Sequence, residues 1–441
     1  MSVLLICNAR LVNEGRVFLG WMKVEGAVIA EIGEGEAPQY DDCEVVDADG
    51  AYLLPGAIDE HVHFREPGLT QKADIASESR AAVAGGVTSF LDMPNTKPLT
   101  TTLEAFDQKC DIAARTSMAN YGFFLGATND NINELLRADY SRVAGVKLFL
   151  GSSTGNMLVD RETLIKRLLT EVNAVIAVHA ESEKHIAESK RRCLEEHGNP
   201  ADLPLELHSV IRSREACFEA TKLITDMARQ TSARVHVMHI STADELALFD
   251  AGPVENKRVT AETCPQYLLF NRGMYAEKGA RIKCNPAIKD AADSQALLTA
   301  LREGRIDCIG SDHAPHLLSD KEGGALKAAS GMPLLQFSLR AMLSLLPVET
   351  VVEKMCHNPA RIFRISRRGF LREGYFADFV LVKETAPYAV TDDMVLSRCG
   401  WTPLRGTELR HRVVATWVNG LQTWNGREFA ASSAAQPLRF G

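Results

Sequence analysis

No stretch of this 441-residue chain approaches the roughly 18 uninterrupted apolar residues that cross a bilayer, which excludes a membrane-spanning helix as the organising feature. Met1 to Leu11 lacks a basic region followed by a long apolar one, so no secretory leader is expected. A basic excess is missing as well. Lys and Arg number 49 against 57 Asp and Glu, and the net charge of -8 argues against a nucleic-acid footprint. The ten cysteines contain no C-x-x-C pair, and several sit inside apolar runs, where cysteine acts as a small hydrophobe. A reduced, cytoplasmic protein is the expectation. There is no low-complexity linker and no short internal repeat. What remains is an ordinary globular composition, 46% hydrophobic and 24% charged, long enough for one large barrel or two domains.

The two ends read alike. Val3-Leu4-Leu5-Ile6, Trp21-Met22-Lys23-Val24 and Ala27 to Ile32 are short β-type runs between Asn- and Gly-containing turns. Ala377 to Val382 and Val413 to Val418 repeat the pattern near the other terminus. The middle alternates instead. Apolar β-type runs near 57–61, 87–93, 121–127, 143–150, 174–179, 234–239, 257–262 and 306–312 are separated mostly by amphipathic helical stretches, such as Thr70 to Ala84, Asp160 to Val172 and Arg212 to Arg229. Eight such units predict an α/β fold, a (β/α)8 barrel of parallel strands covered on both faces. An open doubly wound sheet would show a Gly-rich phosphate loop after its first strand, and here that strand ends in histidines. The expected organisation is 1–54 as the first part of a small β-sandwich, 55–365 as the barrel and 366–441 as the rest of the sandwich.

His61 and His63 stand one residue apart at the end of the first barrel strand. Side chains alternate with period two along a strand, so both imidazoles reach the same side and can share one metal ion. Lys147 in the fourth strand, His179 ending the fifth, His239 ending the sixth and Asp312 ending the eighth fall at the same end of the predicted barrel, where such folds carry their chemistry. Histidine and oxygen donors of this kind suit zinc, with manganese or cobalt as substitutes. A lysine between Val146 and Leu148 in a buried strand is costly when charged. Read as a neutral amine that has captured carbon dioxide, Lys147 becomes an anionic two-oxygen ligand able to bridge two cations. Two bridged metals would activate a water between them, and Asp312 could take its proton and pass it to a leaving nitrogen. The predicted chemistry is hydrolysis of an amide-type C–N bond.

These motifs resemble the amidohydrolase superfamily, and within it the dihydroorotases. The resemblance rests on His61-Val62-His63-Phe64-Arg65-Glu66-Pro67-Gly68, Asp92-Met93-Pro94-Asn95-Thr96-Lys97-Pro98, Gly145-Val146-Lys147, His179-Ala180-Glu181, His239-Ile240-Ser241 and Ser311-Asp312-His313-Ala314-Pro315-His316, in that order. It implies two zinc ions per subunit, one on His61, His63, Lys147 and Asp312, the other on Lys147, His179 and His239, bridged by carboxylated Lys147 and a hydroxide. It implies reversible hydrolysis of dihydroorotate to N-carbamoyl-L-aspartate, a step of pyrimidine biosynthesis, with Asp312 as proton shuttle. Arg65, Asn95, Asn285 and His316 match the family's substrate contacts, and Arg65 can offer a bidentate fork to a carboxylate. Many relatives of this length carry an Asp-Asp-Gly segment after strand four. This chain has Gly151 to Met157 there, which favours the lysine bridge; the segment reads equally as a loop closing over substrate and as a plain surface loop. Glu262 and His316 are candidate donors to a third metal, against which Met238 stands where a cysteine ligand would assist. The nearest alternative is an allantoinase or hydantoinase, which shares the metal site but lacks the arginine of Phe64-Arg65-Glu66. A non-catalytic scaffold of the same fold would have lost its ligands, and here all six positions are filled. The expected partner is a small-molecule substrate, with a homodimer as the default assembly.

Overall fold

Alternating apolar residues at the two ends of the chain build a single sheet. The computed structural model describes residues 3–40, 42–151 and 157–441. It forms β1 (Val3–Asn13), β2 (Arg16–Glu25), β3 (Val28–Glu34), β4 (Glu44–Asp47) and β5 (Tyr52–Pro55) at the N-terminal side. β1 and β2 are joined by Glu14-Gly15, whose φ values of 49° and 77° give the left-handed pair that matches hairpin twist. The middle of the chain supplies β6 (Ala57–Val62), β7 (Val87–Asp92), β8 (Asn120–Phe123), β9 (Leu125–Gly126), β10 (Val146–Phe149), β11 (Val175–His179), β12 (Arg234–Val237), β13 (Val259–Thr263) and β14 (Cys308–Ile309). The C-terminal side adds β15 (Phe379–Ala389), β16 (Glu408–Val418) and β17 (Leu421–Trp424).

Strands from both termini pair in the order β17-β16-β15-β5-β1-β2-β3, with β4 branching from β1. The junction is antiparallel, with Leu53 opposite Leu381 and Tyr52 opposite Val382. The strands expected to form the terminal domain thus share one continuous mixed ladder. Its physical cause is the length of β1, which holds two parallel partners in tandem: β4 along Leu4 to Cys7 and β5 along Arg10 and Leu11, so the ladder is not interrupted. The sheet has its own core, including Ile6, Met22, Leu53, Phe379 and Trp417, the last two stacked with ring centroids 4.6 Å apart.

The middle strands run parallel in chain order as two ladders, β6-β7-β8 and β9 through β14. Each expected β window carries a strand. The window at 121–127 carries two, broken at Phe124, whose ring turns into a separate cluster against Phe363. At the outer ends, Val62 bridges His313 in parallel, and His63 N donates to His313 O at 2.8 Å. The strands are buried along their whole length in β6, β7, β10 and β11, as expected of a parallel sheet covered on both sides. Two of the three predicted helices start at a side-chain cap. Asp74 accepts from Ser77 N to begin Ile75–Ala84, and Ser213 accepts from Ala216 N to begin Arg214–Thr231. After β17 the chain returns to the middle strands, where Leu438 N donates to Tyr121 O at 2.8 Å and Phe440 N to Ser141 O at 3.0 Å. Among the described residues no helix is long and apolar enough to cross a membrane.

Candidate metal centre

The carboxyl ends of the parallel strands bring the predicted residues to one cavity. Its lining includes His61, His63, Arg65, Asn95, Lys147, His179, His239, Asn285 and Asp312. His316 stands beside it, its Nε2 3.1 Å from Arg65 Nη2, and lines an adjoining cavity of about 600 Å³ that shares Asn285. His61, Lys147 and His179 lie within β6, β10 and β11, and His63 follows β6 by one residue. His239 and Asp312 sit two and three residues past the ends of their strands, where they were expected to end them. Both have left-handed backbones, φ 45° and 46°, as does Arg65 at 69°. Turning out of the strand redirects these side chains across the mouth, at a backbone cost of the kind that gathers at functional sites.

Two sets of donors converge. Asp312 Oδ1 lies 3.3 Å from His61 Nε2 and 3.2 Å from His63 Nε2. His179 Nδ1 and His239 Nε2 approach to 2.8 Å. The rings of His61 and His239 lie 5.4 Å apart, so the two sets adjoin. The far nitrogens of the first pair are occupied: His61 Nδ1 donates to Glu262 Oε1 and His63 Nδ1 to Asn95 Oδ1, each at 2.8 Å. A carboxylate or amide behind an imidazole fixes its tautomer and aims the other nitrogen forward, as metal-binding histidines require. Glu262 Oε1 also accepts from the backbone N–H of His239 at 3.2 Å, so one carboxylate supports a residue of each set.

Electrostatics keep these groups in ligand form. Burial lowers His63 to about 4, against the opposing pull of Asp312, and holds His179 and His239 below the usual histidine value. They are neutral at physiological pH, as metal binding demands. Burial pushes Asp312 up, but the His61 and His63 imidazoles outweigh it and hold the carboxyl below its ordinary value. Lys147 is fully buried and lowered to about 8 by burial, with Glu262 and Asp312 opposing. Among the described residues its Nζ touches Met238 Sδ and has no oxygen acceptor and no ion pair. Neutral imidazoles, one carboxylate and an uncompensated buried amine fit a divalent metal site, and His61, His63 and Asp312 hold donor atoms within 4.8 Å of one another.

Several supporting residues were not visible in the sequence. Glu262 stood out only as a third-metal donor, whereas it braces His61 and His239. Asp59 Oδ1 accepts from His61 N at 3.2 Å and Ser311 N at 3.0 Å, tying the first strand to the segment that carries Asp312. Its place two residues before His61, on the same face of the strand, was the available signal. Asn95 was expected to touch substrate and also braces His63. His313, inside the Asp312 motif, is structural: its Nε2 lies 2.8 Å from Glu78 Oε2, and its Nδ1 accepts from Leu334 N at 3.1 Å. The suggested loop at 151–157 falls mostly on 152–156, outside the described residues.

Residues 52–422 match the amidohydrolase family. An allantoinase of Bacillus velezensis is 32% identical over 428 residues, which cover 94% of this chain and 92% of that protein. A dihydroorotase of Methanosarcina acetivorans is 30% identical over 420 residues, 91% of this chain and 88% of the relative. The structure of L-hydantoinase (dihydropyrimidinase) from Arthrobacter aurescens superposes with a TM-score of 0.92 at 25% identity, covering 100% of both chains.

Proposed function

Because the chain belongs to the amidohydrolase family and is a cyclic amidohydrolase, we propose that its substrate is dihydroorotate, hydrolysed reversibly to N-carbamoyl-L-aspartate in pyrimidine biosynthesis. The observation that carries this reading is Arg65. Its side chain is buried, lines the metal cavity and has no carboxylate partner among the described residues. Burial lowers it to about 10, so it stays cationic at neutral pH. An uncompensated guanidinium in such a place calls for an anion, and a bidentate fork matches a carboxylate. Dihydroorotate carries one; allantoin and unsubstituted hydantoin do not. Asn285 Oδ1, buried in the same cavity without a partner, is placed to accept from a ring N–H.

Two zinc ions would be held by His61, His63 and Asp312 and by His179 and His239, with a carboxylated Lys147 between them. The metal pair, when bound, supplies Lewis-acid activation of water and of the ring carbonyl. The chain's own groups do the rest. Arg65, Asn285 and His316 fix the ring by its carboxylate and amide edge. Asp312, ionised at neutral pH, accepts the proton of the attacking water as its oxygen bonds to the ring carbonyl carbon. When the ring C–N bond breaks, Asp312 returns that proton to the departing nitrogen. The two ladders of parallel strands are taken as one closed barrel, with this reaction at its mouth.

The relatives bear both names at similar identity, so allantoin hydrolysis is the competing reading. Comparing kcat/KM for dihydroorotate, allantoin and hydantoin on the zinc-loaded enzyme tests it. Dihydroorotate is expected to be preferred, and Arg65→Gln should lower its kcat/KM by roughly 100-fold, in line with the loss of a charged hydrogen-bonded contact, with little effect on uncharged rings. Faster turnover of allantoin would overturn the substrate assignment.

A further inference from the structure

At the opposite end of the parallel strands lies a second cavity, of about 330 Å³. It opens where β11 and β12 begin, and its wall is basic: Arg234, Lys257, Arg258, Arg361 and Arg364, with Glu255 the one acid. Two of these cations are compensated. Lys257 Nζ lies 2.7 Å from Asp307 Oδ1, and Arg361 Nε lies 2.8 Å from Glu255 Oε1. Arg234, Arg258 and Arg364 have no carboxylate within ion-pair distance among the described residues. Backbone carbonyls hold two of them in place. Arg234 Nη2 donates to Ile362 O, and Arg258 Nη1 donates to Ser232 O at 2.7 Å. The C-terminal residue, Gly441, reaches the same corner and bonds the Arg364 carbonyl through its amide at 3.1 Å, but forms no ion pair there.

Three guanidiniums without carboxylate partners, Arg234 half-buried and Arg258 and Arg364 exposed, face one cavity and repel one another. Burial, together with Arg364 and Arg258, lowers Arg234 to about 10. The chain as a whole carries a net charge of -8, so the local surplus runs against the balance of the molecule. Nothing in the metal site uses these residues, since they occupy the end of the strands away from it. Repulsion of this kind is relieved by an anion, and guanidinium forks with N–H groups left over suit oxyanions with several acceptor oxygens. The cavity is at the lower end of the range for small-molecule sites and larger than a bare ion needs.

We propose that this cavity binds a small polyanion bearing a phosphate or polyphosphate group, held by Arg234, Arg258 and Arg364.

The experiment is isothermal titration calorimetry of the zinc-loaded protein with inorganic pyrophosphate, at fixed ionic strength and with metal content measured before and after. Saturable binding is expected, weakened at least tenfold in the double variant Arg258→Gln/Arg364→Gln and unchanged in Arg65→Gln. No saturable binding, equal binding by the double variant, or loss of binding in Arg65→Gln would each overturn the proposal. The last result would place the anion among the histidines instead. Should the double variant fail to fold, modification of the wild-type protein with phenylglyoxal decides the matter. Pyrophosphate should protect Arg258 and Arg364 in peptide mass maps, and absence of protection refutes the site.

Discussion

Asp312 has two duties in the proposed reaction, holding a metal and moving a proton, and its surroundings suit both. The His61 and His63 imidazoles keep it ionised despite burial, and its turned backbone brings it within 3.3 Å of both. Asp312→Asn keeps the shape and one donor oxygen but removes the base. Turnover should fall by about three orders of magnitude, the scale of general acid–base catalysis, while the protein still melts cooperatively. Steady-state kinetics with a circular-dichroism melt on the same preparation checks it. Lys147 poses a different question. A buried amine without an oxygen partner is an expense for the fold unless something completes it. If a carbamate does, Lys147→Ala should lose zinc, measured by plasma emission, along with activity, and short carboxylic acids such as propionate should restore part of both. An alanine variant with full metal content and full activity would rule the bridge out.

At the scale of elements, the approach of β14 to β6 governs the site. Gly310 stands between them, and an added Cβ would lie 2.9 Å from the Glu262 carboxyl carbon and 3.0 Å from His61 Cβ. Neither neighbour can retreat, since Glu262 is hydrogen-bonded to His61 and His239. Gly310→Ala should cost about 1–3 kcal/mol of stability as an overpacked core position, and weaken zinc retention because the crowded atoms belong to the proposed ligand His61 and its brace. Chemical denaturation and a zinc-competition titration read the two effects separately. The strands themselves were readable as apolar runs, and the period-two rule was enough to pair His61 with His63. Their neighbours across the sheet were harder to see. Nothing in the local pattern tells that Glu262, two hundred residues on, stands behind His61, or that His239 and Asp312 leave their strands before reaching the mouth. Periodicity reports which face a residue occupies, whereas a brace depends on which strands lie side by side. The tandem pairing of β4 and β5 on β1 was illegible for a related reason: a strand long enough for two partners looks like any other strand.

At the scale of the whole molecule, His357 joins the turn between β1 and β2 to the segment that follows the parallel strands. Its Nε2 accepts from Glu14 N at 3.0 Å, its Nδ1 donates to Gly369 O at 2.6 Å, and its ring stacks on Phe370 at 4.3 Å. Burial lowers this histidine to about 4. The folded state thus holds it neutral while the unfolded chain takes up a proton below about 6.5. Stability from this group is complete above that pH and is lost as pH falls toward 4, a total of about 3 kcal/mol. Melting curves between pH 7.5 and 4.5 should show a smaller acid-side decline in His357→Gln than in the wild type, whatever the variant's own stability. An equal decline would mean that the histidine is not linked to folding.

The pairing of β5 with β15 carries a consequence for how the protein is made. β5 runs directly into the strand of the first two histidines, yet its neighbour on one side is encoded near the far end of the message. While a ribosome is still translating the intervening helices, β5 presents unpaired amides and carbonyls to the surrounding solvent. The nascent polypeptide therefore passes most of its synthesis with an adhesive edge at the amino end of β6, away from its future catalytic cleft, and chaperone supply and translation speed would bear on the yield of native enzyme.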